Sequence, residues 1–287
     1  MKNTPRLRLL VPTGRMNEKL LVLLAESGYG IEGAGRDYRP RCADASIEVK
    51  MLKPINIPKL VELGRHDLGF CGLDWVREHQ TDVEVVAELG LDPVSLVVAA
   101  PEGTTLASLK RRKNLVLATE YENLARGWLR RNRVRATLLR TNGTTEVYPP
   151  DDADLILDNS ASGSTLKANK LDVLGTLMRS STCLVANKTS LRQRAVAEKI
   201  RQMADLLGST LAARRKVMLE MNVSEKNLER LVAQVPAMKG PTVQALAGSG
   251  YAVKTVVDRE LVRELLPKLK KLGATDILEM PLRKVLP

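Results

Sequence analysis

The segment DLILDNSASGSTL, residues 154 to 166, contains the residue types in this chain that are best suited to binding a ligand. Its apolar residues 155 to 157 predict a buried strand, and the small polar residues after them predict a turn that leads into a helix. Backbone N–H groups and hydroxyls at the start of a helix can bind an anionic group such as a phosphate. Asp, Asn, Ser and Gly are also the residues of ordinary turns, so the segment alone leaves both interpretations open.

Asp158 narrows the kind of anion that this turn could bind. A carboxylate beside a phosphate is repelled unless it meets a hydroxyl donor or a cation. The segment therefore suits a phosphorylated sugar that binds together with a metal ion better than it suits a bare phosphate.

The composition predicts a globular protein. A chain of 287 residues, 44% of them hydrophobic and 27% charged, is long enough for about two domains with their own cores. No apolar run approaches the roughly 20 residues that cross a membrane, and the apolar part of the first segment is too short for a secretory signal. Cys42, Cys71 and Cys183 lack a metal-ligand spacing, which is typical of thiols in a reducing compartment. We expect a cytoplasmic protein that binds no membrane.

The net charge of +12 indicates a polyanionic ligand, either a nucleic acid or a nucleotide. Aromatic residues make up only 3% of the chain, so few rings are available to stack against single-stranded nucleic acid. The basic segments LKRRKN and RGWLRRNRVR could contact phosphates, although such runs are more often solvated helix faces. We therefore expect no nucleic-acid partner.

The two histidines of the chain, His66 and His79, lie in polar segments that predict loop or surface positions. Serine and cysteine hydrolases that need a histidine base are disfavoured for this reason.

Strands and helices alternate up to about residue 190, which predicts α/β architecture. The predicted strand segments are RLRLLVP, ASIEVKML, DLGFCGLDWV, VEVVAEL, VSLVVAA, KNLVLAT, ATLLRT, ADLILDN and STCLVANKT. We expect two lobes similar to those of periplasmic binding proteins, with residues 1–97 and 178–208 in the first and residues 98–177, including the phosphate turn, in the second. Ligands bind at the carboxyl ends of strands in such sheets, which places the turn at the rim of a cleft.

The order of elements changes after this point to βαββαβ. The strand segments KVMLEMNV, TVQALA, YAVKTVVD and TDILEMPL and the helices between them predict a ferredoxin-like domain over residues 209–287. Such domains are often added to enzymes to sense a small ligand, although the fold alone does not establish that role.

Nearly the whole chain resembles the ATP phosphoribosyltransferases that begin histidine biosynthesis, in their long form with a regulatory C-terminal domain. LRLLVPTGRMNE resembles the family's first strand and Gly-Arg loop, NIPKLVELGRHDLGFCGLDWV its helix and Asp-Leu-Gly turn, and ADLILDNSASGSTL its phosphoribosyl pyrophosphate motif. VPAMKGPTVQALAG and LPKLKKLGATDILEMPLRKV resemble the regulatory domain. The phosphoribosyl motif is the most specific of these segments. The chain departs from the family pattern in two ways. The segment EVYPPDDAD before the motif lacks the glycine that the family usually has after the glutamate and is one residue short, and Thr13 and Glu120 stand where a lysine is common.

The resemblance implies a magnesium-dependent reaction. N1 of the adenine of ATP displaces pyrophosphate from the anomeric carbon of phosphoribosyl pyrophosphate, and Mg²⁺ binds mainly through substrate oxygens and water rather than through a dedicated set of protein ligands. It also implies that free histidine inhibits the enzyme through the C-terminal domain, and that the protein is a homo-oligomer, either a dimer or a hexamer.

The resemblance implies roles for individual residues. Asp158 is expected to accept the ribose hydroxyls, and Arg15, which follows the Gly14 turn, to bind triphosphate or pyrophosphate oxygens in a bidentate manner. The residues expected to bind phosphoribosyl pyrophosphate are Asp158, Ser160, Ala161, Ser162, Gly163, Ser164, Thr165 and Leu166. Those expected to bind ATP are Gly14, Arg15, Arg36, Lys53, Asp74 and Tyr121, with Tyr121 lying against the adenine or packing in the protein.

Two other classes of protein share some of these features. A two-lobed protein that binds a small anion or a nucleotide without catalysis has the same lobes and the same phosphate turn, but it does not explain an acid within that turn. A nucleic-acid-binding protein is suggested by the net charge alone, and its affinity would fall steeply with salt concentration.

Overall fold

A computed structural model of the chain describes residues 6–34 and 37–286. Contacts divide the chain into two compact units, residues 1–204 and residues 205–287, with the boundary slightly before the expected start of the C-terminal domain at residue 209. Among the described residues, no helix is long and apolar enough to cross a membrane.

The first lobe begins with six strands and three helices. These are β1 (Leu7–Pro12), α1 (Asn17–Glu26), β2 (Ile31–Glu32), β3 (Arg41–Cys42), β4 (Ile47–Leu52), α2 (Ile57–Glu62), β5 (Leu68–Gly72), α3 (Leu73–His79) and β6 (Glu84–Glu88). Single-turn 3₁₀ helices at Gly14–Met16 and Pro54–Asn56 follow β1 and β4. β1 lies between β4 and β5 and pairs with both in parallel. Its leucines are buried, as expected of a parallel strand covered on both faces.

The second lobe follows without a break. It contains β7 (Val94–Pro101), α4 (Leu106–Arg111), β8 (Leu115–Thr119), α5 (Glu122–Asn132), β9 (Ala136–Arg140), β10 (Leu155–Ser160), α6 (Ser164–Ala168) and β11 (Leu171–Ser180), with a 3₁₀ helix at Thr145–Val147. Its sheet has the order β11-β7-β10-β8-β9. β10 is the central strand of this sheet, and the phosphate turn extends from its carboxyl end.

The chain then returns to the first lobe. β12 (Thr182–Ala186) pairs with β5 on one side and β6 on the other, so the first sheet has the order β2-β3-β4-β1-β5-β12-β6. The two connections between the lobes are the segment between β6 and β7 and the single residue Ser181 between β11 and β12. The lobe boundaries expected at residues 97/98 and 177/178 therefore fall inside β7 and β11, which belong to the second sheet along their whole length. Two helices, α7 (Lys188–Arg192) and α8 (Arg194–Arg214), complete this part of the chain.

The C-terminal unit has the predicted βαββαβ order. It contains β13 (Lys216–Val223), α9 (Glu225–Val232), β14 (Thr242–Ala245), β15 (Tyr251–Asp258), α10 (Val262–Lys271) and β16 (Thr275–Pro281). The antiparallel sheet has the order β14-β15-β13-β16, which is the strand order of a ferredoxin-like fold. Every second residue of β13 is buried and contacts the helices, as the period of a half-covered strand requires. The structure thus confirms the expected fold class, two α/β lobes followed by a ferredoxin-like domain.

Candidate active site

A cavity of about 440 Å³ opens at the carboxyl end of β10. Its wall is formed by the phosphate turn, by acidic residues from neighbouring loops and by one residue of the first lobe. The lining residues are Arg15, Glu120, Gly143, Thr144, Glu146, Asp158, Asn159, Ser160, Ala161, Ser162, Gly163, Ser164, Thr165 and Leu166. All eight residues expected to bind phosphoribosyl pyrophosphate thus lie around one cavity.

The phosphate turn is held by its own serine hydroxyls. Gly163 has φ +75°, a left-handed conformation that favours glycine, and it immediately precedes the short helix α6. The N–H of Gly163 donates to Ser160 Oγ over 3.1 Å, and the N–H of Ser164 donates to Ser162 Oγ over 3.3 Å. The turn thus places a row of hydroxyls at the cavity wall, while the N–H groups of Gly163 and Ser164 already donate within the turn.

Asp158 is the acid of this site, and its pKa is raised. Burial raises the pKa of Asp158 to about 6, and the negative charges of Glu120 and Glu146 contribute to the increase. Hydrogen bonds from the backbone N–H of Asn159, at 2.6 Å, and from Thr145 act in the opposite direction. A carboxyl group with this pKa is largely ionised at neutral pH and able to accept hydrogen bonds from a ligand.

Arg15 is exposed and stands at the first turn after β1, where Gly14 adopts φ +81°. Among the described residues that line the two cavities of this site, Arg15 is the one lysine or arginine, and it lines both. Gly14 itself lines neither. Arg15 therefore places one positive charge at both cavities.

A second, smaller cavity of about 180 Å³ adjoins the first. It shares Arg15 and Asn159 with the larger cavity and lies mainly against the first lobe. The lining residues are Thr13, Arg15, Met16, Pro54, Gly72, Asp74, Trp75, Asp92, Val94, Tyr121, Asn159, Ser180, Ser181 and Thr182. The carboxylates of Asp74 and Asp92 in this wall suit an uncharged group with hydrogen-bond donors better than a phosphate.

A chain of hydrogen bonds runs along the wall of the smaller cavity. Ser180 Oγ donates to Asp74 Oδ1 over 2.6 Å, and Tyr121 Oη donates to Asp74 Oδ2 over the same distance. Asn159 Nδ2 donates in turn to Tyr121 Oη over 3.1 Å. Burial raises the pKa of Tyr121 well above its ordinary value, and the charge of Asp74 contributes, so the phenol stays protonated.

The position of Tyr121 corrects one expectation about ATP binding. Its side chain is fully buried, and its ring stacks on Trp75 with centroids 4.4 Å apart. Trp75 occupies that ring face, and no exposed part of the ring remains to stack against an adenine. Tyr121 therefore packs in the protein, and Trp75 lines the smaller cavity with it.

Three further ATP-binding expectations have different outcomes. Asp74 does line the smaller cavity, but it is only 5% exposed and both of its carboxylate oxygens already accept hydrogen bonds. Lys53 is exposed and lines neither cavity, because the chain turns there into the 3₁₀ helix at Pro54–Asn56. Arg36 lies outside the described residues.

In the part of the chain that the structure describes, no group of three or more His, Cys, Asp or Glu residues could hold a metal ion. The carboxylates of Asp158, Glu120 and Glu146 nevertheless line one cavity, and carboxylate oxygens are suitable partners for magnesium and its water ligands.

Several lining residues were not selected from the sequence as site residues. Asn159 and Ser180 lie next to or at the ends of strands, where polar residues are common and carry little signal. Trp75 is one of only two tryptophans in the chain, and that rarity could have drawn attention to it. Thr182 reaches the site because β12 returns to the first lobe, and Asp92 lies in the connection between β6 and β7; the local sequence indicates neither position.

Comparison with known protein families gives two matches along the chain. The sequence model of the HisG family, described as ATP phosphoribosyltransferase, matches residues 53–209, and that of the HisG C-terminal domain matches residues 213–284. The ATP phosphoribosyltransferase of Pelotomaculum thermopropionicum is 38% identical over 98% of this chain and 100% of its own length. That of Chlorobium phaeobacteroides is 36% identical over 98% of this chain and 97% of its own.

Solved structures with a similar fold include an ATP phosphoribosyl transferase. A chain of the ATP phosphoribosyl transferase (HisG:HisZ) complex from Thermotoga maritima superimposes with a TM-score of 0.62 at 24% identity, covering 70% of this chain and 98% of its own. At that identity the similarity concerns the fold alone.

Proposed function

Because the chain belongs to the ATP phosphoribosyltransferase family, in its long form, we propose that its two adjoining cavities hold the two substrates of that family. The enzyme transfers the phosphoribosyl group of phosphoribosyl pyrophosphate to N1 of the adenine of ATP and releases pyrophosphate, the first step of histidine biosynthesis. The observation that carries the assignment of the cavities is their shared wall at Arg15 and Asn159.

The larger cavity is assigned to phosphoribosyl pyrophosphate. The hydroxyls and backbone donors from Ser160 to Thr165 suit the 5-phosphate, and Asp158 is placed to accept hydrogen bonds from the ribose hydroxyls. Arg15, the residue of the first lobe that lines this cavity, supplies the positive charge for pyrophosphate oxygens. This arrangement explains why an acid lies inside a phosphate-binding turn.

The smaller cavity is assigned to the adenine of ATP. Both oxygens of Asp74 already accept hydrogen bonds and Asp92 Oδ1 pairs with Lys19, but Asp92 Oδ2 is buried without a partner among the described residues and suits the amino group of a purine. A base in this cavity lies next to the sugar in the larger one, since Asn159 belongs to both walls. The triphosphate then extends past Arg15, the cation common to both cavities.

The chemistry needs no protein nucleophile. The lone pair of N1 forms a bond to the anomeric carbon while the bond from that carbon to the pyrophosphate oxygen breaks, and the electron pair leaves with the pyrophosphate. The purine gains a positive charge, which the buried carboxylate of Asp74 stabilises. The site contributes chiefly by positioning and by electrostatics, which are together worth on the order of 10⁴-fold or more.

Enzymes of this family generally use a metal ion, and magnesium is the ion proposed here. The carboxylates around the larger cavity fit its preference for oxygen ligands, and Asp158, Glu120 and Glu146 would hold its water shell rather than a dedicated cage. Bound magnesium neutralises charge on the departing pyrophosphate.

The C-terminal unit is proposed to bind free histidine and to lower activity. It contributes none of the residues that line the two cavities, and it matches the family's C-terminal domain. The turn between β14 and β15 offers backbone donors for a carboxylate, with Gly250 at φ +93°. Asp258 lies at the opposite end of β15, too far from this turn to bind the amine of the same histidine, and its Oδ1 pairs with Lys216 Nζ over 2.8 Å. Homo-oligomeric assembly, as a dimer or a hexamer, and cytoplasmic localisation stay predictions.

A single assay tests the proposal. Purified protein with ATP, phosphoribosyl pyrophosphate and magnesium is expected to release pyrophosphate and to form an N1-ribosylated adenine nucleotide detectable by mass spectrometry. Tight binding of either substrate without adduct would instead support the two-lobed binding protein without catalysis. Steep, salt-dependent binding of generic DNA with no ATP turnover would support a nucleic-acid-binding protein.

A further inference from the structure

The hydrogen-bonded chain from Ser180 through Asp74 and Tyr121 to Asn159 connects the two lobes at the point where the two cavities meet. Asp74 belongs to α3 of the first lobe, whereas Tyr121 and Asn159 belong to the second. The links between these three side chains measure 2.6 Å and 3.1 Å. Tyr121 is therefore the one member that contacts both the carboxylate of the smaller cavity and a residue shared with the larger one.

The direction of these hydrogen bonds is determined by chemistry. An ionised carboxylate can only accept, so the single phenolic proton of Tyr121 is directed to Asp74. The phenolic oxygen is then left as an acceptor, and only the Nδ2 side of the Asn159 amide can donate to it. This bond selects one of the two orientations of the Asn159 amide.

Asn159 in turn is in contact with the acid of the larger cavity. Its backbone N–H lies 2.6 Å from Asp158 Oδ1, and its Nδ2 lies 3.4 Å from the same oxygen. The orientation of the Asn159 amide thus affects the surroundings of Asp158 Oδ1, on the carboxylate proposed to bind the ribose. Loss of the Tyr121 hydroxyl would therefore alter the hydrogen bonding of Asp74 and Asn159, and with it the surroundings of both proposed substrates.

We propose that Tyr121 is a positioning residue for the transfer reaction, and that its hydroxyl aligns the adenine cavity with the ribose cavity by holding Asp74 and Asn159 at once. This inference rests on the proposed assignment of the two cavities. It replaces direct contact between Tyr121 and adenine as the role of this residue.

The substitution Tyr121→Phe separates this role from packing. Phenylalanine keeps the ring that stacks on Trp75 and removes only the hydroxyl. The variant is expected to lose about 10- to 100-fold in kcat, the scale of one hydrogen bond to a charged group. Its KM for phosphoribosyl pyrophosphate is expected to stay within about threefold, since the 5-phosphate turn makes no contact with Tyr121 Oη. A purely structural hydroxyl would lower the melting temperature and leave the kcat of the folded enzyme unchanged.

Tyr29→Phe is the matched control, because Tyr29 is also a buried tyrosine of the same compact unit and lines neither cavity. It is expected to keep the wild-type kcat and both KM values. A second comparison combines Tyr121→Phe with Asn159→Ala. Because both changes break the same link, the double variant should lose less activity than the product of the two single losses.

Three results would overturn the inference: an unchanged kcat in folded Tyr121→Phe, a loss confined to the KM for phosphoribosyl pyrophosphate, or losses that multiply in the double variant. Wild-type enzyme is measured in the same assay. If wild-type protein forms no adduct, the proposed function fails; if it is active and Tyr121→Phe equals it, only the positioning role fails.

Discussion

Glu120→Gln is a direct test of the electrostatics of the larger cavity. Glu120 follows β8 and lines the cavity with Asp158, whose pKa it helps to raise. Glutamine has nearly the same size and cannot ionise. The substitution therefore removes one negative charge from the surroundings of Asp158, and its pKa is expected to fall.

The magnitude follows from the causes of the shift. The pKa of Asp158 rises from 3.8 to about 6, a difference of about two units or ~3 kcal/mol. Burial is the largest cause and remains in the variant, and Glu146 keeps its charge. We therefore expect a decrease of about half a unit, or ~0.7 kcal/mol, from the loss of Glu120 alone.

The assay is the pH dependence of kcat/KM for phosphoribosyl pyrophosphate between about pH 5 and 8. Ionised Asp158 accepts from the ribose, so activity should fall on the acid side near pH 6, and this limb should move to lower pH in the variant. The phosphates of the substrate titrate identically for every variant, so their titration does not contribute to the difference between the pH profiles. Glu122→Gln is the control, because it removes the same charge two residues away and outside both cavities. An acid limb that stays in place, moves upward, or moves equally in the control would refute the reasoning.

The raised pKa of Asp158 also affects the free energy of unfolding. The folded-state pKa of Asp158 lies above its unfolded value, so the folded state binds the proton more tightly between about pH 4 and 6. The free energy of unfolding contributed by this group therefore decreases as pH rises through that window. Urea unfolding of Glu120→Gln should show a smaller decrease than wild type.

Two further predictions concern the phosphate turn and the C-terminal unit. Gly163→Val should abolish binding of phosphoribosyl pyrophosphate by calorimetry, because it forces a branched side chain into a left-handed position at φ +75° in the cavity wall. Gly103→Val, at φ +78° and away from the cavity, should lose similar stability and bind normally; equal affinities in the two variants would contradict the assignment of the turn. Free histidine should bind the full chain by calorimetry and inhibit it without competition from ATP, with a coupling of about 1 to 3 kcal/mol. A chain that neither binds histidine nor is inhibited by it would leave the C-terminal unit with a structural role.

Local sequence patterns were sufficient for most of the fold. Each strand of the ferredoxin-like domain was predicted from the sequence. In segments such as KVMLEMNV, polar and apolar residues alternate and a turn follows. β11 was missed although it has 10 residues, since Gly175 and two register shifts interrupt its alternation. The lobe boundaries were placed inside β7 and β11, whereas the chain passes between the sheets in the segment between β6 and β7 and at Ser181, which no local pattern indicates.

The two cavities differ in how far a single sequence segment could reveal them. The phosphate turn is one continuous segment, and its residues from Asp158 to Leu166 all line the larger cavity. The smaller cavity is built from separate segments that meet only in the folded chain, such as Asp74 with Ser180. The sequence left open whether Tyr121 contacts adenine or packs in the protein, because it shows that a ring is near a site but not which neighbour covers it.

The return of β12 determines the order in which this chain can fold during synthesis. β12 lies between β5 and β6, so the first sheet lacks an inner strand until residues 182 to 186 have left the ribosome. The second sheet, from β7 to β11, is contiguous and complete before that moment. The inserted lobe can therefore fold first. Until β12 is synthesised, the backbone groups of β5 and β6 that pair with it stay unpaired and can form non-native strand pairs. Proteolysis of ribosome-bound chains stalled before and after β12 emerges should show protection of the second lobe first and of the first lobe only afterwards.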